Sequence, residues 1–118
     1  MLEKELQTQI ISYIRKRNIF GFAIHNEFMG LSHLKNKFTY INSLKTQGFV
    51  TGATDLVILY NTTAYFVELK VNKNKLSDKQ QEFKKNIDTH TEQGYKIKHV
   101  VVRDTLDDFI EKVINDQS

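Results

Sequence analysis

Three residues at the ends of two apolar runs have the types and spacing needed for chemistry. Asp55 directly precedes the apolar run 56–60, and Glu68 and Lys70 end the run that begins at Ala64. Side chains two apart on a strand point to the same face, so Glu68 and Lys70 would project together from the end of a hydrophobic strand. Burying such charges is costly unless they are paired, so the pattern indicates a functional site.

The loop between the two runs decides whether the acidic residues meet. A two-residue loop, Asn61–Thr62, or a four-residue loop puts Asp55 opposite Glu68 on one face, whereas a three-residue loop separates them. Turn chemistry does not choose among these loops, because Asn-Thr lacks the glycine that tight hairpins favour. Opposed carboxylates would repel each other unless a cation lay between them. We therefore predict a Mg²⁺ site whose protein ligands are Asp55, Glu68 and the backbone carbonyl of Leu69.

Lys70 completes a set of groups that suits phosphodiester hydrolysis. Its ammonium would orient or activate the attacking water and offset charge on a phosphoryl oxygen. Each residue also has a plainer interpretation. Asp55 could only open a strand after a turn, and Glu68 with Lys70 could be an exposed ion pair that contributes little to stability.

The spacing of apolar residues predicts the elements that position these groups. Apolar residues at three- and four-residue intervals indicate a first helix that ends near Asn18, and a weaker pattern suggests a helix over 40–47. Ser77 and Asp104 are the predicted N-caps of two later helices, the first of which ends near Gly94. The predicted strands are 19–25, 56–60, 64–70 and 96–102.

These elements predict an α/β fold in the order α-β-β-β-α-β-α. A helix connects the last two strands, so we expect those strands to be parallel and their crossover right-handed. The result is a mixed sheet of about four strands flanked by helices.

Composition limits the class of protein. The chain has 118 residues, of which 40% are hydrophobic, and this predicts one domain over 1–118. Cysteine is absent, so neither disulfides nor thiolate metal sites are possible. The net charge of +3 permits a nucleic-acid partner without requiring one. The charged N-terminus does not resemble a signal peptide and no apolar run approaches ~18 residues, so we expect a soluble cytoplasmic protein without membrane partners.

The series Asp55, Glu68-Leu69-Lys70 and Gln80 resembles the Asp, Glu-x-Lys and Gln series of the PD-(D/E)xK nuclease superfamily. The form with glutamine is similar to its VRR-NUC branch, in stand-alone proteins of phage or bacterial type. The resemblance extends along nearly the whole chain and includes the first-helix acid Glu3 and the glycine-bracketed loop 48–52. It implies a restriction-endonuclease-like core, dependence on Mg²⁺ or Mn²⁺, and cleavage of DNA inside a bacterial cell or phage-infected host.

The chain departs from the family pattern in the loop before Asp55. The family usually carries proline before the second glycine and before the aspartate, where this chain has Thr51 and Thr54. The loop is therefore expected to differ in rigidity.

Two further residues are expected to assist catalysis. The resemblance gives Gln80 a place in the site, but Ser77-x-x-Gln80 is also a capping box, and both roles remain open. Glu3 is the preferred first-helix acid, with Glu5 as the competing residue and helix-dipole stabilisation as the alternative role.

Nucleic-acid contacts are predicted on both sides of the site. Lys73, Lys75 and Lys79 follow Lys70 closely and would contact phosphates, or else form an ordinary solvated face. His25 and Asn26 end the first strand near the opening of the site. The segment from Phe28 to Tyr40, rich in lysine and aromatic residues, is the first candidate for a further DNA or partner surface.

The chain is expected to act as a homodimer on branched or otherwise structured DNA. Its elements are nearly all used for the core, no base-reading module is visible, and two-fold association enlarges the contact surface of a small protein. The alternatives are a DNA-binding module of the same fold without appreciable cleavage, and a structural α/β domain in an oligomer.

Overall fold

The computed structural model describes residues 1–24 and 37–117. Within these ranges the helices are α1 (Glu3–Lys16), α2 (Lys37–Thr46), α3 (Asp78–Glu92) and α4 (Leu106–Phe109), and α4 continues as a π-helical segment over Ile110–Ile114. The strands are β1 (Phe20–Ala23), β2 (Leu56–Tyr60), β3 (Thr63–Lys70) and β4 (Ile97–Arg103). Over the same two ranges, none of the helices is both long and apolar enough to cross a membrane.

The strands form one mixed sheet in the order β1-β2-β3-β4. The β1–β2 and β2–β3 pairs are antiparallel, whereas β3 and β4 are parallel and connected through α3. The predicted α/β fold and its parallel crossover are therefore confirmed. The helix suggested over 40–47 is also present, and it begins at Lys37.

The β2–β3 hairpin has the two-residue loop that brings the acidic residues together. Tyr60 pairs with Thr63 and Leu56 pairs with Val67, so one further step places Asp55 opposite Glu68. Both loop residues have positive φ, 51° at Asn61 and 63° at Thr62. A hairpin turn of this kind matches the twist of the flanking strands, although a β-branched residue adopts it at a cost.

The hydrophobic core lies on one face of the sheet. Leu6, Ile10 and Ile14 recur along α1 at four-residue intervals and are buried against this face, with Phe109 and Val113 from the last helical segment. The sheet residues of this core are Leu56, Ile58, Tyr65, Val67, Leu69 and Val102. Each fully buried apolar side chain contributes about 1.5–3 kcal/mol, so this face supplies most of the hydrophobic stabilisation.

The opposite face carries the candidate site and is packed less completely. Phe83 of α3 contacts Phe66 and His99, with ring centroids 6.1 Å and 6.4 Å apart. Because side chains alternate along a strand, Glu68 and Lys70 share this face with Phe66. Helix α3 has no fully buried residue, so it covers the face only in part.

The predicted cap of the last helix was wrong by one residue. Thr105, not Asp104, is the N-cap, and its hydroxyl accepts a hydrogen bond from the N–H of Asp108. Asp104 instead has φ of 67° and accepts a hydrogen bond from the N–H of Asn72, at 2.6 Å. This long-range contact takes the aspartate away from the helix and leaves the threonine to cap it.

Candidate active site

Asp55 lies where β1, β2 and β3 meet. Its N–H donates to the carbonyl of Val67 at 3.0 Å, and its carbonyl accepts from the N–H of Ile24 at 2.8 Å. Its carboxylate oxygen Oδ2 accepts a hydrogen bond from the N–H of Leu69 at 2.8 Å. The residue is thus fixed from both neighbouring strands and its side chain is directed towards the end of β3.

Glu68 is the most unusual ionisable group of the site. Only 2% of its surface is exposed, and its Oε1 atom has no hydrogen-bond partner among the described residues. Burial raises the pKa of Glu68 to about 9, a hydrogen bond and charge repulsion from Asp55 add to the rise, and the Lys70 ammonium opposes it. The two acidic side chains are therefore in direct contact, as the hairpin register predicts.

Glu3 lies in the first turn of α1, near enough to the site for its charge to act on Glu68. Its negative charge also contributes to the raised pKa of Glu68. Glu3 is half-buried, whereas Glu5 is exposed and is not among the charges that act on Glu68. This placement favours Glu3 over Glu5 as the first-helix acid.

Gln80 forms the capping box of α3. Its Oε1 accepts from the N–H of Ser77 at 2.9 Å, and its own N–H donates to the Ser77 hydroxyl at 3.2 Å. The residue is half-buried, and its amide NH₂ group still offers two donors. The capping prediction is confirmed, and a contribution of the NH₂ group to the site remains a prediction.

The loop before Asp55 packs directly on the first turn of α3. Gly52 has φ of 82°, and a Cβ atom there would lie 2.4 Å from the backbone carbon and oxygen of Lys79 and 2.8 Å from the N atom of Gln80. Only glycine permits this approach at this φ. Gly52 thereby allows the loop that precedes Asp55 to pack against the backbone of Lys79 and Gln80.

The donors at the centre of the site suit a hard divalent cation. Asp55 and Glu68 are adjacent, and the unpartnered Oε1 of Glu68 is an oxygen that a cation would satisfy. Over residues 1–24 and 37–117, no three His, Asp or Glu side chains converge as a metal cluster. A metal there would take two carboxylates and complete its coordination with a backbone carbonyl and water, as Mg²⁺ commonly does. The Leu69 N–H is already engaged by Asp55, and its carbonyl remains the predicted third ligand.

The predicted basic residues are exposed in the segment that follows Lys70 along the chain. Lys73 and Lys75 are exposed in the loop after β3, and Lys79 is exposed in the first turn of α3, with its ammonium 3.6 Å from a Glu82 carboxylate oxygen. A surface ion pair of this kind is weak, so it does not prevent contact with phosphate. His25 and Asn26 lie outside the described residues, as does most of the segment from Phe28 to Tyr40.

The sequence interpretation missed Arg103. It is the last residue of β4 and the register partner of Lys70, so its side chain lies on the same face of the sheet. The signal was present in the sequence, because two parallel strands were predicted and Arg103 follows the second at the position where Lys70 ends the first.

Neither a family model nor a curated relative matches this chain. Among solved structures, it is similar to a chain described as a "VRR_NUC domain protein", with a TM-score of 0.64 and 20% sequence identity, covering 98% of this chain and 87% of that chain. The mixed sheet of this chain, with α1 on one face and α3 on the other, agrees with the restriction-endonuclease-like core that the sequence predicts. The chain therefore has the fold of a VRR-NUC domain protein.

Proposed function

We propose that this chain is a metal-dependent endonuclease that hydrolyses phosphodiester bonds in DNA. The observation that carries the proposal is the buried carboxyl of Glu68, which contacts Asp55 and keeps one oxygen without a partner among the described residues. Lys70 projects from the same face two residues further along. The description of the similar structure, a VRR_NUC domain protein, supports a nuclease.

The acidic residues would hold the metal. Asp55, Glu68 and the carbonyl of Leu69 would bind Mg²⁺ or Mn²⁺, since hard divalent cations take oxygen ligands. When bound, such a cation lowers the pKa of water and offsets charge on a phosphate. In its absence the contact of the two carboxyls is stabilised by a proton on Glu68, consistent with the raised pKa of that residue.

The remaining groups would act on the water and the phosphate. The Lys70 charge lowers the pKa of Glu68, which supports a position for its ammonium beside the predicted metal. There it would donate to the attacking water, orienting or activating it, or to a phosphoryl oxygen on which charge develops. The NH₂ group of Gln80 would donate to the same water or phosphate, and Glu3 would accept a hydrogen bond from a nearby water.

The decisive experiment compares cleavage with binding in Lys70→Ala. Labelled duplex, nicked, flapped and four-way DNA would be incubated with Mg²⁺, with Mn²⁺ or with neither. We expect Lys70→Ala to abolish cleavage but to change DNA affinity only several-fold, because it is one phosphate contact among several and the only ammonium beside the carboxylates in the described parts of the chain. Lys16→Ala, which removes an exposed lysine at the far end of α1, should retain both activities. Full cleavage by Lys70→Ala would contradict the proposal.

Metal titration separates the enzyme from the alternative functions. Asp55→Asn keeps an oxygen that can accept from the Leu69 N–H, so we expect the fold to persist and the affinity for Mn²⁺ to fall. Calorimetric titration of the parent and the variant measures this difference. A parent that binds DNA but neither binds Mn²⁺ nor cleaves would instead be a DNA-binding module of this fold.

We further propose that the enzyme is a homodimer that selects branched DNA by shape. The described part of the chain contains no helix-turn-helix or other base-reading module in addition to the sheet and its helices. Backbone contacts and two-fold symmetry would then provide recognition. Sedimentation at micromolar concentration, with and without a four-way junction, tests the dimer, and a monomer under both conditions would contradict it. Equal cleavage rates on duplex and junction would contradict the substrate.

A further inference from the structure

Arg103 and Lys70 end neighbouring parallel strands side by side. They are register partners in the β3–β4 ladder, in which strands are about 4.8 Å apart. Both side chains lie on the face where Phe66 and His99 contact Phe83. Two cations therefore leave the same edge of the sheet in the same direction.

Three hydrogen bonds fix the backbone that carries these two cations. The N–H of Asp104 donates to the carbonyl of Lys70 at 3.0 Å, and the carboxylate of Asp104 accepts from the N–H of Asn72 at 2.6 Å. The N–H of Arg103 donates to Asp108 Oδ2 at 2.7 Å. The end of β4 is thereby tied both to the loop that leaves Lys70 and to the following helix.

Arg103 is half-buried as a residue, and its guanidinium makes a single hydrogen bond to the described part of the chain. Its Nη1 donates to the carbonyl of Asn74 at 2.7 Å, which leaves four of its five N–H donors. No carboxylate forms an ion pair with it over residues 1–24 and 37–117, and Asp108 is paired instead with Lys112, at 2.9 Å. A guanidinium with free donors and no acidic partner among the described residues suits a phosphate, whose oxygens match its fork geometry.

The strand order separates Arg103 from the reacting phosphate. Asp55 precedes β2, on one side of β3, and Arg103 is in β4, on the other side. Two strand spacings place the backbones of Asp55 and Arg103 about 10 Å apart, so a phosphate held at the carboxylates lies nearer to Lys70 than to Arg103. Lys70 lies between them on β3.

We propose that Arg103 binds a non-scissile phosphate of the DNA strand, next to the phosphate that Asp55, Glu68 and Lys70 would hold. The inference rests on the proposed nuclease function and extends it, because a second fixed phosphate sets which bond lies at the carboxylates. The Arg103 side chain is a binding group in this scheme, and the Asp104 contacts are what position it.

The first test measures DNA affinity as a function of salt in metal-free buffer. Arg103→Gln should weaken binding about tenfold and reduce the slope of log K against log[salt] by about 0.9 for duplex DNA. Arg103→Lys should retain the slope but lose part of the affinity, because one ammonium cannot reproduce the fork. Arg15→Gln removes the same charge from the exposed far end of α1 and should change neither quantity. An unchanged slope in Arg103→Gln would overturn the proposal.

The second test identifies the phosphate that Arg103 contacts. Single phosphates of the DNA are replaced in turn by neutral methylphosphonates, and affinities are measured for the parent, Arg103→Gln and Lys70→Ala. We expect one position to lose its effect only in Arg103→Gln, and a neighbouring position to lose its effect only in Lys70→Ala. Identical profiles in parent and Arg103→Gln, or loss at the Lys70 position in both variants, would overturn the proposal. If thermal melting shows that Arg103→Gln is unfolded, Arg103→Lys replaces it, and the effect at its position should shrink.

The methylphosphonate experiment measures DNA affinity, so its outcome does not depend on cleavage. A parent that binds DNA and shows the two separate positions but never cleaves would refute the proposed nuclease function and support the role of Arg103. A parent that cleaves but shows no separate Arg103 position would refute only this inference. Absence of any DNA binding by the parent would refute both.

Discussion

Replacing Glu68 by glutamine should stabilise the metal-free protein at neutral pH. The pKa of Glu68 rises from 4.5 to about 9 on folding, so the folded protein retains a proton there that the unfolded chain loses. Below pH 4.5 Glu68 is protonated in both states and its ionisation does not lower the free energy of unfolding. As the pH rises from 4.5 to about 9, the free energy of unfolding falls progressively. The cost is about 1.4 kcal/mol per pH unit, or about 3 kcal/mol at pH 7.

The variant retains the shape of the side chain but cannot ionise. It should therefore lose this pH dependence and gain about 1–3 kcal/mol at pH 7, the lower value applying if the new amide is left partly unpaired. Urea unfolding in EDTA at several pH values between 5 and 9 measures the change. Glu111→Gln removes an exposed carboxylate and should leave the slope of the parent unchanged.

Addition of a divalent metal should reverse the effect of the Glu68→Gln substitution on stability. A ligand that binds only the folded state adds about 2.7 kcal/mol at one hundred times its Kd, and a cation must displace the proton on Glu68. Mg²⁺ should therefore stabilise the parent, more so at higher pH, and should have little effect on Glu68→Gln. A variant that is less stable than the parent at pH 8 in EDTA, or that keeps the parental slope, would refute the assignment of the buried charge.

Three further substitutions test the elements around the site. Gly52→Ala should destabilise the protein and reduce cleavage, because the added Cβ would meet the backbone of Lys79 and Gln80. Gly48 has a similar positive φ but nothing within 4 Å of an added Cβ, so Gly48→Ala should show only the conformational part of the loss, about 1 kcal/mol. His99→Leu should stabilise the protein more at pH 5 than at pH 8. Burial and then the Lys84 charge lower the pKa of His99, against the opposing effect of Asp88, so acid protonates the unfolded chain first. Equal gains in the free energy of unfolding at the two pH values would contradict this prediction. Thr62→Gly should raise stability by about 1 kcal/mol, because φ of 63° strains a β-branched residue, and Asn61→Gly should gain less; thermal melting of both variants measures the difference.

The sequence predicted a register that opposes Asp55 to Glu68, because local pattern and pairing geometry agree there. The apolar runs defined β2 and β3, and the short loop between them left only a few registers, of which one opposed Asp55 to Glu68. The structure adopts that register although Thr62 is poorly suited to the turn. The burial of alternate residues on the core face therefore outweighs the turn strain, since a slip of one residue would expose them.

The features that were missed or left open depend on contacts between distant segments. Asp104 and Thr105 are both good caps, and only the bond from the Asn72 N–H to Asp104 decides between them. Arg103 was overlooked because its neighbour in space, Lys70, is 33 positions away by numbering, and only the alignment of the two predicted parallel strands relates the two residues. Capping signals and charge runs are local, so neither can reveal such a pair.

The two faces of the sheet explain how the chain tolerates a destabilising site. The face towards α1 buries a continuous apolar cluster, whereas the face towards α3 carries Glu68, Lys70 and Arg103 under a helix without a fully buried residue. An acid buried at a cost of about 3 kcal/mol at neutral pH would be a large fraction of the stability of a domain of this size. The destabilising residue, Glu68, belongs to β3. The alternate residues of this strand, Tyr65, Val67 and Leu69, are almost completely buried on the other face and stabilise it. The same strand thus stabilises the fold through one set of side chains and presents reactive groups through the other, so a core substitution at Val67 should loosen Glu68 and impair metal binding as well as stability.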